Sequence, residues 1–404
     1  MTPPSAWLLD LTRLVSRLGR GPLTGIDRVE LAYLDHLLWR AEPVFGLVRT
    51  ALGFVLLDRV GARGVLGRVT FAVPLGQPDI LSRLTNRHLP QNGRAEADMR
   101  RLAAARCLPV RLRPVLRKRL PDGTAYVNVG HANLTPRVMQ AIKSLPGGQV
   151  IVMVHDTIPL DHPELCRAGS QPGFARKLAT VAAHCDLVVH TAACTKAQTE
   201  THLARMGRVP PGLVAPLGVA LTAPDGIGPG KHLQPYFVAL GTIEPRKNIA
   251  LLARVWRQLQ NRGGAVPHLF IVGNRGWESR TLFDELDSLA NTGAVTLLHD
   301  LGDTAVAGLL ENAEALLFPS LAEGFGLPPL EAAALGVPVF AGKLPVVVEM
   351  LRDYPVYLDT SDDYAWIEAI DHKLSHRKQG RDADRQTRVP PSWPDHFDRV
   401  FGNG

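Results

Sequence analysis

The sequence predicts an α/β protein built from two Rossmann-like, doubly wound domains. In the second half of the chain, short runs of apolar residues recur regularly, and segments long enough for a helix separate them. Strands that are apolar throughout alternate with helices in parallel sheets whose two faces are both covered. The length of 404 residues is sufficient for two such domains.

The individual elements follow from the same patterns. The second half predicts strands at residues 237–240, 269–272, 295–298, 315–318, 337–340 and 356–358, and helices at 248–260, 281–290 and 304–312. The first half predicts strands at 6–9, 125–129, 150–154 and 187–190. Apolar residues at helical spacing after Thr24 predict an amphipathic helix, with Thr24 and Asp27 as its N-terminal cap.

A Gly- and Pro-containing stretch at 221–232 predicts a linker between the domains. It separates a first domain at 1–220 from a second at 233–378, and we expect a tail at 379–404, with a terminal helix at 392–401, to pack back on the first domain. Residues 1–220 carry 28 Lys and Arg against 15 Asp and Glu, a net charge of +13, whereas the remainder carries −6. This asymmetry predicts different partners for the two halves.

Composition excludes several classes of protein. Hydrophobic residues make up 46% of the chain and charged residues 21%, which is typical of a globular protein. No apolar run reaches the roughly 18 residues of a membrane span, and the N-terminus lacks the pattern of a secretion signal. The four cysteines include no CxxC pair, so free thiols are expected rather than a disulfide framework or a zinc site. We therefore expect a cytoplasmic protein.

The most informative motif follows the predicted strand at 315–318. Glu323 and Glu331 are separated by seven residues, and the stretch between them begins with Gly324, Phe325, Gly326 and Leu327. The glycines allow a sharp turn and a close approach of the backbone to a ligand, and two prolines then favour the start of a helix. Two carboxylates placed in this way can bind two sets of hydroxyl groups on one substrate, such as a sugar and a ribose. Backbone N–H groups at the helix start favour an anionic ligand.

A second motif, Glu-Pro-Arg-Lys-Asn at 244–248, follows the predicted strand at 237–240. Arg246 and Lys247 are adjacent cations at a turn from strand to helix. The guanidinium offers a bidentate fork and the ammonium a compact charge, so the pair suits a diphosphate.

Weaker candidates lie in the first half. His155 and Asp156 follow the predicted strand at 150–154, where a histidine can bind a sugar hydroxyl or a reacting group. The glycine-containing loop that ends at Gly25 permits a backbone cradle for phosphate or sugar. His131 also follows a predicted strand and, with Asp156, is a candidate for the acceptor side.

Other cofactor motifs are missing from the sequence. It contains neither a Walker loop nor a strand-end GxGxxG, so ATPase and dehydrogenase functions have little support. The pair Asp382 and Asp384 forms a DxD pattern, but it lies in a polar stretch outside any predicted strand. We therefore predict no metal site and no cofactor.

Together these motifs resemble the retaining family-4 glycosyltransferases of the GT-B fold, the group that includes bacterial mannosyltransferases and polysaccharide-assembly enzymes. The resemblance is most specific from 237 to 349, where the two motifs and an Ile-Val-Gly-Asn-Arg-Gly-Trp run at 271–277 stand at the family's separations. Thr24-Gly25-Ile26, His155-Asp156-Thr157-Ile158-Pro159 and Ser392-Trp393 are also similar to family motifs. The resemblance implies two domains facing across a cleft, with a C-terminal helix crossing back to the first. One departure is His190-Thr191-Ala192, where many members carry a Ser-rich turn.

The resemblance also implies roles for individual residues. Arg246 and Lys247 would hold the donor diphosphate, Glu323 the donor sugar and Glu331 the ribose. His155 would lie near the reacting centre, and Gly25 near the phosphates. The donor would be a nucleotide sugar, no dedicated metal would be used, and the anomeric configuration would be retained. The acceptor would be a glycan or a lipid-linked glycan, as in the assembly of lipopolysaccharide or capsule.

Two other functions remain open at this stage. One is a nucleotide-sugar epimerase of the same fold, which would convert the donor without an acceptor. The other is a nucleic-acid-binding protein with a vestigial sugar site, which the intact set of Arg246, Lys247, Glu323 and Glu331 argues against. The basic and apolar segment at 100–119, from Arg100 to Arg119, is the feature that would contact nucleic acid or an anionic membrane. We favour the membrane, and expect the protein to associate peripherally with the inner face of that membrane.

Overall fold

The computed structural model describes residues 3–21, 23–85, 90–223, 235–376 and 387–402. The chain divides into two compact units. The first comprises Met1–His155, Pro172–Thr191 and Lys196–Ala215, and the second comprises Asp156–Gln171, Ala192–Thr195 and Pro216–Gly404. The predicted linker lies outside the described residues from 224 onward, and so do the first residues of the predicted tail.

The first unit contains an eight-stranded sheet with the order β4-β3-β2-β1-β5-β6-β7-β8. Its strands are β1 (Ala6–Asp10), β2 (Val44–Thr50), β3 (Gly53–Leu57), β4 (Ala105–Cys107), β5 (Thr124–Asn128), β6 (Gln149–Val154), β7 (Leu187–His190) and β8 (Gly212–Val214). The pairs β2–β3 and β3–β4 are antiparallel, and the other neighbours are parallel.

The second unit contains a six-stranded sheet with the order β11-β10-β9-β12-β13-β14, in which every pair is parallel. Its strands are β9 (Tyr236–Leu240), β10 (His268–Val272), β11 (Val295–Leu298), β12 (Leu316–Phe318), β13 (Val339–Gly342) and β14 (Val356–Leu358). The central strand β9 lies between β10 and β12, so the strand order reverses between β9 and β12. Ligands of doubly wound sheets bind at the carboxyl ends of the strands at such a point.

Helices connect the strands of both sheets. They are α1 (Thr12–Arg17), α2 (Gly25–Trp39), α3 (Arg59–Val69), α4 (Ile80–Thr85), α5 (Pro90–Arg101), α6 (Leu112–Arg119), α7 (Pro136–Lys143), α8 (Ile158–Asp161), α9 (Ser170–His184), α10 (Ala193–Arg205), α11 (Ile249–Asn261), α12 (Arg280–Asn291), α13 (Asp303–Glu311), α14 (Leu327–Ala334), α15 (Pro345–Leu351), α16 (Asp363–His376) and α17 (Trp393–Phe401). Among the described residues, no helix combines the length and the apolar character that crossing a membrane requires.

The core of the second unit explains why its strands are apolar throughout. Trp256 of α11 and Trp366 of α16 are fully buried against the sheet, and Phe237 of β9 lies beneath them. Each indole N–H finds a backbone carbonyl, Trp256 at Pro267 (2.9 Å) and Trp366 at Asp359 (2.9 Å). Burying one large apolar side chain contributes about 1.5–3 kcal/mol, and satisfying the indole N–H avoids the cost of an unpaired donor.

Most predicted elements agree with the structure, and the differences have local causes. The strands predicted at 187–190, 295–298 and 356–358 have these bounds in the structure. The helix predicted after Thr24 is α2, and the Asp27 carboxylate accepts hydrogen bonds from the Thr24 backbone N–H (3.0 Å) and hydroxyl (2.6 Å). The terminal helix is α17, which Ser392 caps through the Asp395 N–H.

Two predictions about the sheets were wrong in detail. The strand predicted at 337–340 begins instead at Val339, because the Val337 N–H bonds to the Ala332 carbonyl and Pro338 has no N–H to donate. In the first unit, β2, β3, β4 and β8 were not predicted. Arg49 interrupts the apolar pattern of β2, and β4 and β8 have only three residues each, too few for a periodic pattern to be recognised.

A pair of glycines determines how closely the ends of β9 and β10 approach. Gly273 follows β10 with φ +153°, and a Cβ placed on it would lie 2.1 Å from the carbonyl oxygen of Gly241, which follows β9. The contact continues beyond the strands, since the Ile243 N–H bonds to the Asn274 carbonyl (3.0 Å). Only glycine fits at position 273 without displacing the loop that leads to Arg246.

We expect Gly273→Ala to lower the free energy of unfolding by about 3 kcal/mol, because the methyl group both clashes with Gly241 and strains the backbone. Gly293→Ala is a matched control in the same unit. Gly293 also has a positive φ (+77°), but no atom lies within 4 Å of its Cβ position, so a loss of only about 1 kcal/mol is expected. Urea unfolding of the two variants measures the difference, and equal losses would contradict a role for the close approach.

Candidate functional site

The predicted cations project from a short turn at the end of the central strand of the second unit. Pro245–Lys247 form a single 3₁₀ turn after β9, and Asn248 then adopts a left-handed conformation (φ +50°) to begin α11. The Asn248 side chain anchors this reversal by donating to the Thr360 carbonyl (3.1 Å). The turn therefore presents Arg246 and Lys247 beyond the carboxyl end of the sheet.

The first predicted carboxylate, Glu323, lies directly against both cations. Lys247 Nζ is 2.5 Å from Glu323 Oε1, and an Arg246 terminal nitrogen is 2.8 Å from Glu323 Oε2. The loops are also joined through the backbone, since the Leu321 N–H donates to the Arg246 carbonyl (2.8 Å). Because β9 and β12 are neighbours in the sheet, residues far apart in sequence meet at the point where the strand order reverses.

Burial makes the charges of this cluster strongly interdependent. Lys247 is 8% exposed, and the Glu323 side chain is 7% exposed. Burial lowers the pKa of Lys247, which Glu323 partly offsets. For Glu323, burial raises the pKa, but Lys247 and Arg246 together hold it below its usual range. For Arg246, burial opposes the charge, and Glu323 and Glu244 more than compensate, so its pKa is raised.

Glu244 is a second carboxylate on Arg246 that the sequence did not single out. Its Oε1 lies 2.6 Å from Arg246 Nε, and its Oε2 accepts a hydrogen bond from the Trp277 indole N–H (3.3 Å). Trp277 belongs to the run at 271–277. The spacing between that run and the Glu-Pro-Arg-Lys-Asn motif was therefore the feature of the sequence that could have indicated a role for Glu244. Glu244 and Glu323 hold the guanidinium from two directions and fix its orientation.

Asp156 also belongs to the second unit, although its neighbour His155 belongs to the first. The Asp156 carboxylate accepts from the Ile158 N–H (3.1 Å). Burial raises its pKa, Arg246 lowers it, and Glu323 raises it. The electrostatic field of the cation cluster therefore reaches Asp156.

The glycine-containing loop after Glu323 has the conformation that its sequence suggests. Gly326 has φ +86° and starts α14, whose first turn contains the prolines and which carries the half-buried Glu331. Phe325 is 6% exposed, and Gly324 and Leu327 are partly exposed. The Gly324 carbonyl accepts a hydrogen bond from the Thr195 hydroxyl (3.3 Å).

Glu349 occupies a position that the sequence analysis missed. Its carboxylate accepts from the backbone N–H groups of Ala193 (2.6 Å) and Cys194 (2.9 Å), at the first residues of α10. A carboxylate at a helix N-terminus satisfies free N–H groups and interacts favourably with the helix dipole. No sequence pattern connects positions 193 and 349, so this contact required the structure.

The two predicted histidines lie together in the first unit. The rings of His131 and His155 have centroids 5.2 Å apart. His155 Nε2 lies 2.6 Å from the Val129 carbonyl oxygen, and His131 Nε2 lies 2.8 Å from that of Met153. Since a carbonyl only accepts, each Nε2 carries a proton. Burial and the neighbouring His155 lower the pKa of His131 to about 3, so its ring is neutral at physiological pH.

The remaining predicted residues are placed as follows. Gly25 is the exposed first residue of α2 in the first unit. Asp382 and Asp384 lie outside the described residues. The structure thus brings Arg246, Lys247, Glu323 and Asp156 into one electrostatic cluster, with Glu331 on the helix that follows, and it places His131, His155 and Gly25 in the other unit.

Comparison with known proteins finds similar sequences and similar folds. Residues 229–389 match the family model described as glycosyl transferases group 1. The serotype-specific mannosyltransferase WbdA of Escherichia coli is 30% identical over 258 residues, which is 58% of this chain and 30% of the relative. The O-antigen chain mannosyltransferase RfbU of Salmonella typhimurium is 34% identical over 143 residues, which is 35% of this chain and 38% of the relative. The matches thus span only about a third of these curated relatives.

Among solved structures, Anabaena Alr3699/HepE in complex with UDP aligns with a TM-score of 0.61 at 15% sequence identity, over 98% of this chain and 97% of that one. At this identity the likeness concerns the fold. It shows that the chain has the GT-B fold of two Rossmann-like domains.

The buried cation cluster predicts a large effect of Glu323→Gln on stability. Removing the shared carboxylate leaves two buried cations with less compensation, and we expect the free energy of unfolding at neutral pH to fall by about 3 kcal/mol. Asp284→Asn is a control, because Asp284 is exposed and its distance to Arg280 is 3.9 Å, so a change below about 0.5 kcal/mol is expected. Denaturant unfolding measures both.

The difference in unfolding free energy between wild type and Glu323→Gln should depend on pH. The folded-state pKa of Glu323 lies below its ordinary value of 4.5, so its stabilising contribution is complete above pH 4.5 and is lost as the pH falls through the folded-state value. Wild type and Glu323→Gln should therefore converge in acid. A gap that stays constant throughout the acid range would show that the Glu323 charge is not its origin.

Proposed function

We propose that the chain is a glycosyltransferase, on the premise that residues 229–389 match the family model described as glycosyl transferases group 1. It moves a sugar from a nucleoside-diphosphate donor to a glycan or lipid-linked glycan in the assembly of a bacterial surface polysaccharide. The single observation that carries this proposal is the buried cluster of Arg246, Lys247 and Glu323 at the carboxyl ends of β9 and β12.

The cluster is suited to the departure of a diphosphate. When the bond between the sugar and the diphosphate breaks, negative charge accumulates on the leaving phosphate. Fixed cations stabilise that charge most effectively where water is excluded and where no reorganisation is needed. Arg246 is held by Glu244 and Glu323, and Lys247 by Glu323, so both are oriented before a ligand arrives.

Residues of the second unit are also proposed to recognise the sugar and the ribose of the donor. Glu323 binds hydroxyl groups of the sugar, and Glu331, on the helix that starts at Leu327, binds the ribose. The positive φ of Gly326 lets the backbone N–H groups at the start of α14 face the phosphates. Because both curated relatives are named as mannosyltransferases, we propose mannose as the transferred sugar.

We further propose that the reaction retains the anomeric configuration and needs no metal. The two cations supply the charge stabilisation that a divalent ion would otherwise provide. A phosphate oxygen of the leaving group accepts the acceptor's hydroxyl proton. His155 contributes at the reacting sugar, with its Nε2–H directed to the Val129 carbonyl and its ring orientation thereby set.

The protein is proposed to act on the cytoplasmic side of the membrane and to bind its surface peripherally. All four cysteines are free thiols, as expected in a reducing compartment. Arg100 itself is 7% exposed and paired with Asp79 (2.7 Å), so it is structural. Beyond it, Leu108 (60% exposed) and Val110 (77% exposed) lie among the exposed residues Arg106, Arg111 and Arg113. Exposed apolar side chains with neighbouring arginines favour an anionic bilayer.

A donor screen tests the proposed activity. Thermal unfolding is measured with GDP-mannose, UDP-glucose, UDP-GlcNAc, dTDP-rhamnose and the free nucleotides, and a ligand at a hundred times its dissociation constant stabilises by about 2.7 kcal/mol. We expect one nucleotide sugar to stabilise the protein, with GDP-mannose the first candidate. Lys247→Ala and Glu323→Ala should each lose most of the turnover with that donor, while circular dichroism shows a folded protein.

Lys373→Ala is the matched control for the screen, because Lys373 is a half-buried lysine on α16, outside the proposed donor and membrane-binding residues, and should retain wild-type turnover. Near-wild-type rates in Lys247→Ala or Glu323→Ala would show that the donor binds elsewhere. Conversion of the donor in the absence of any acceptor would identify an epimerase instead.

Vesicle sedimentation tests the membrane proposal. The protein should sediment with anionic vesicles at low salt and much less with neutral ones, and Val110→Asp should reduce the sedimented fraction several-fold. Val389→Asp is the control, since Val389 is also exposed (97%) but lies outside the basic segment. Equal recovery with anionic and neutral vesicles would refute the proposal.

A further inference from the structure

The loop that follows β5 in the first unit, residues 129–133, is held in an unusual shape. His131 (φ +57°) and Asn133 (φ +53°) both adopt left-handed conformations, which cost about 1–3 kcal/mol each in residues other than glycine. The Asn133 side chain compensates by donating to Asp10 (2.9 Å) and to the Thr12 hydroxyl (2.7 Å). The loop lies where the strand order reverses between β1 and β5, the position at which such sheets bind ligands.

Two cations from different helices flank this loop. Arg13 of α1 packs against Gly130, where a Cβ would lie 3.1 Å from the Arg13 Cβ. Lys177 of α9 lies one helical turn after Phe174, whose ring meets His131 edge-on with centroids 5.9 Å apart. The charges of both Lys177 and Arg13 contribute to lowering the pKa of His131, after the larger effects of burial and His155.

Among the described residues, no carboxylate pairs with Lys177. It is half-buried, and no ion pair to it is found in the described part of the chain. Burial and the nearby Arg13 both lower its pKa. A partly desolvated ammonium beside another cation is unfavourable in the absence of an anion.

Two buried carboxyl groups of the first unit, Asp27 and Glu30, do not pair with Lys177. Asp27 is fully buried and pairs with Arg13 (2.8 Å) and Arg17 (3.2 Å). Glu30 is also fully buried, and burial, with Asp10 nearby, raises its pKa well above the usual range. A bound anion would compensate the charge of Lys177, for which the described residues supply no ion pair.

We propose that Lys177 and Arg13, beside the loop at 129–133, bind a phosphate group of the acceptor. This inference rests on the proposed function and specifies its acceptor as a phosphorylated compound, either a soluble sugar phosphate or a lipid phosphate headgroup. An ammonium and a partly exposed guanidinium from two elements match a phosphate dianion, which accepts hydrogen bonds from both.

Calorimetric titration of the full-length protein with mannose 1-phosphate tests the site, with GDP present to occupy the donor cations. Lys177→Gln should weaken binding of mannose 1-phosphate tenfold or more, while the affinity for GDP stays within twofold of wild type. Lys373→Gln removes the same charge from a half-buried lysine on α16, outside the proposed sites, and should change neither affinity. Arg13→Gln is a second variant, expected to weaken the same binding, although Arg13 also pairs with Asp27.

Vesicles containing polyprenyl phosphate form the other arm of the experiment. Retention of wild type on these vesicles, lost in Lys177→Gln but kept in Lys373→Gln, would identify a lipid phosphate if mannose 1-phosphate does not bind. Unchanged binding of both probes in Lys177→Gln, or no binding of either probe by wild type, would overturn the inference.

Different results would refute the proposed function and the proposed phosphate site. Loss of mannose 1-phosphate binding in Lys247→Gln but not in Lys177→Gln would place the phosphate in the donor site and overturn this inference alone. Binding that depends on Lys177, in a protein that no nucleotide sugar stabilises, would overturn the proposed function and leave the phosphate site standing.

Discussion

The carboxylate that Lys247 and Arg246 share is the interaction on which the site of the second unit depends. Three charged groups are removed from water at the edge of the sheet, and each would be costly there alone. Glu323 compensates both cations, and Glu244 and the Trp277 indole complete the set around the guanidinium. Hydrophobic residues of similar size could pack here at least as well. The presence of a buried charged cluster at a strand end therefore indicates a chemical function rather than a contribution to stability.

The sheet makes this arrangement feasible. Apolar strands and the tryptophans of α11 and α16 form the core, and Arg246, Lys247 and Glu323 lie beyond it on the segments that follow β9 and β12. The parallel pairing of β9 and β12 brings the loops after them together, although about 75 residues separate them in sequence. The close backbone approach at Gly241 and Gly273 then fixes where the first of these loops begins.

The first unit uses the same kind of strand-end position for different chemistry. Its histidines are oriented by backbone carbonyls, and His131 remains neutral. Burial raises the pKa of Asp10 to about 6, against hydrogen bonds from Asn133, Thr12 and Tyr126 that lower it. Cations outnumber carboxylates in this part of the chain, since the first 220 residues carry a net charge of +13.

The sequence by itself determined the α/β class, most strand positions and the positions of the two motifs that follow β9 and β12, because apolar periodicity, glycines and prolines act over a few neighbouring residues. It did not determine the antiparallel extension of β3 and β4, the sharing of Glu323 between two cations, or the contact of Glu349 with the start of α10. It also could not reveal that no carboxylate within the described ranges pairs with Lys177. These features depend on which residues meet across the sheet and how far they are removed from water, and burial and long-range pairing exist only once the chain has folded.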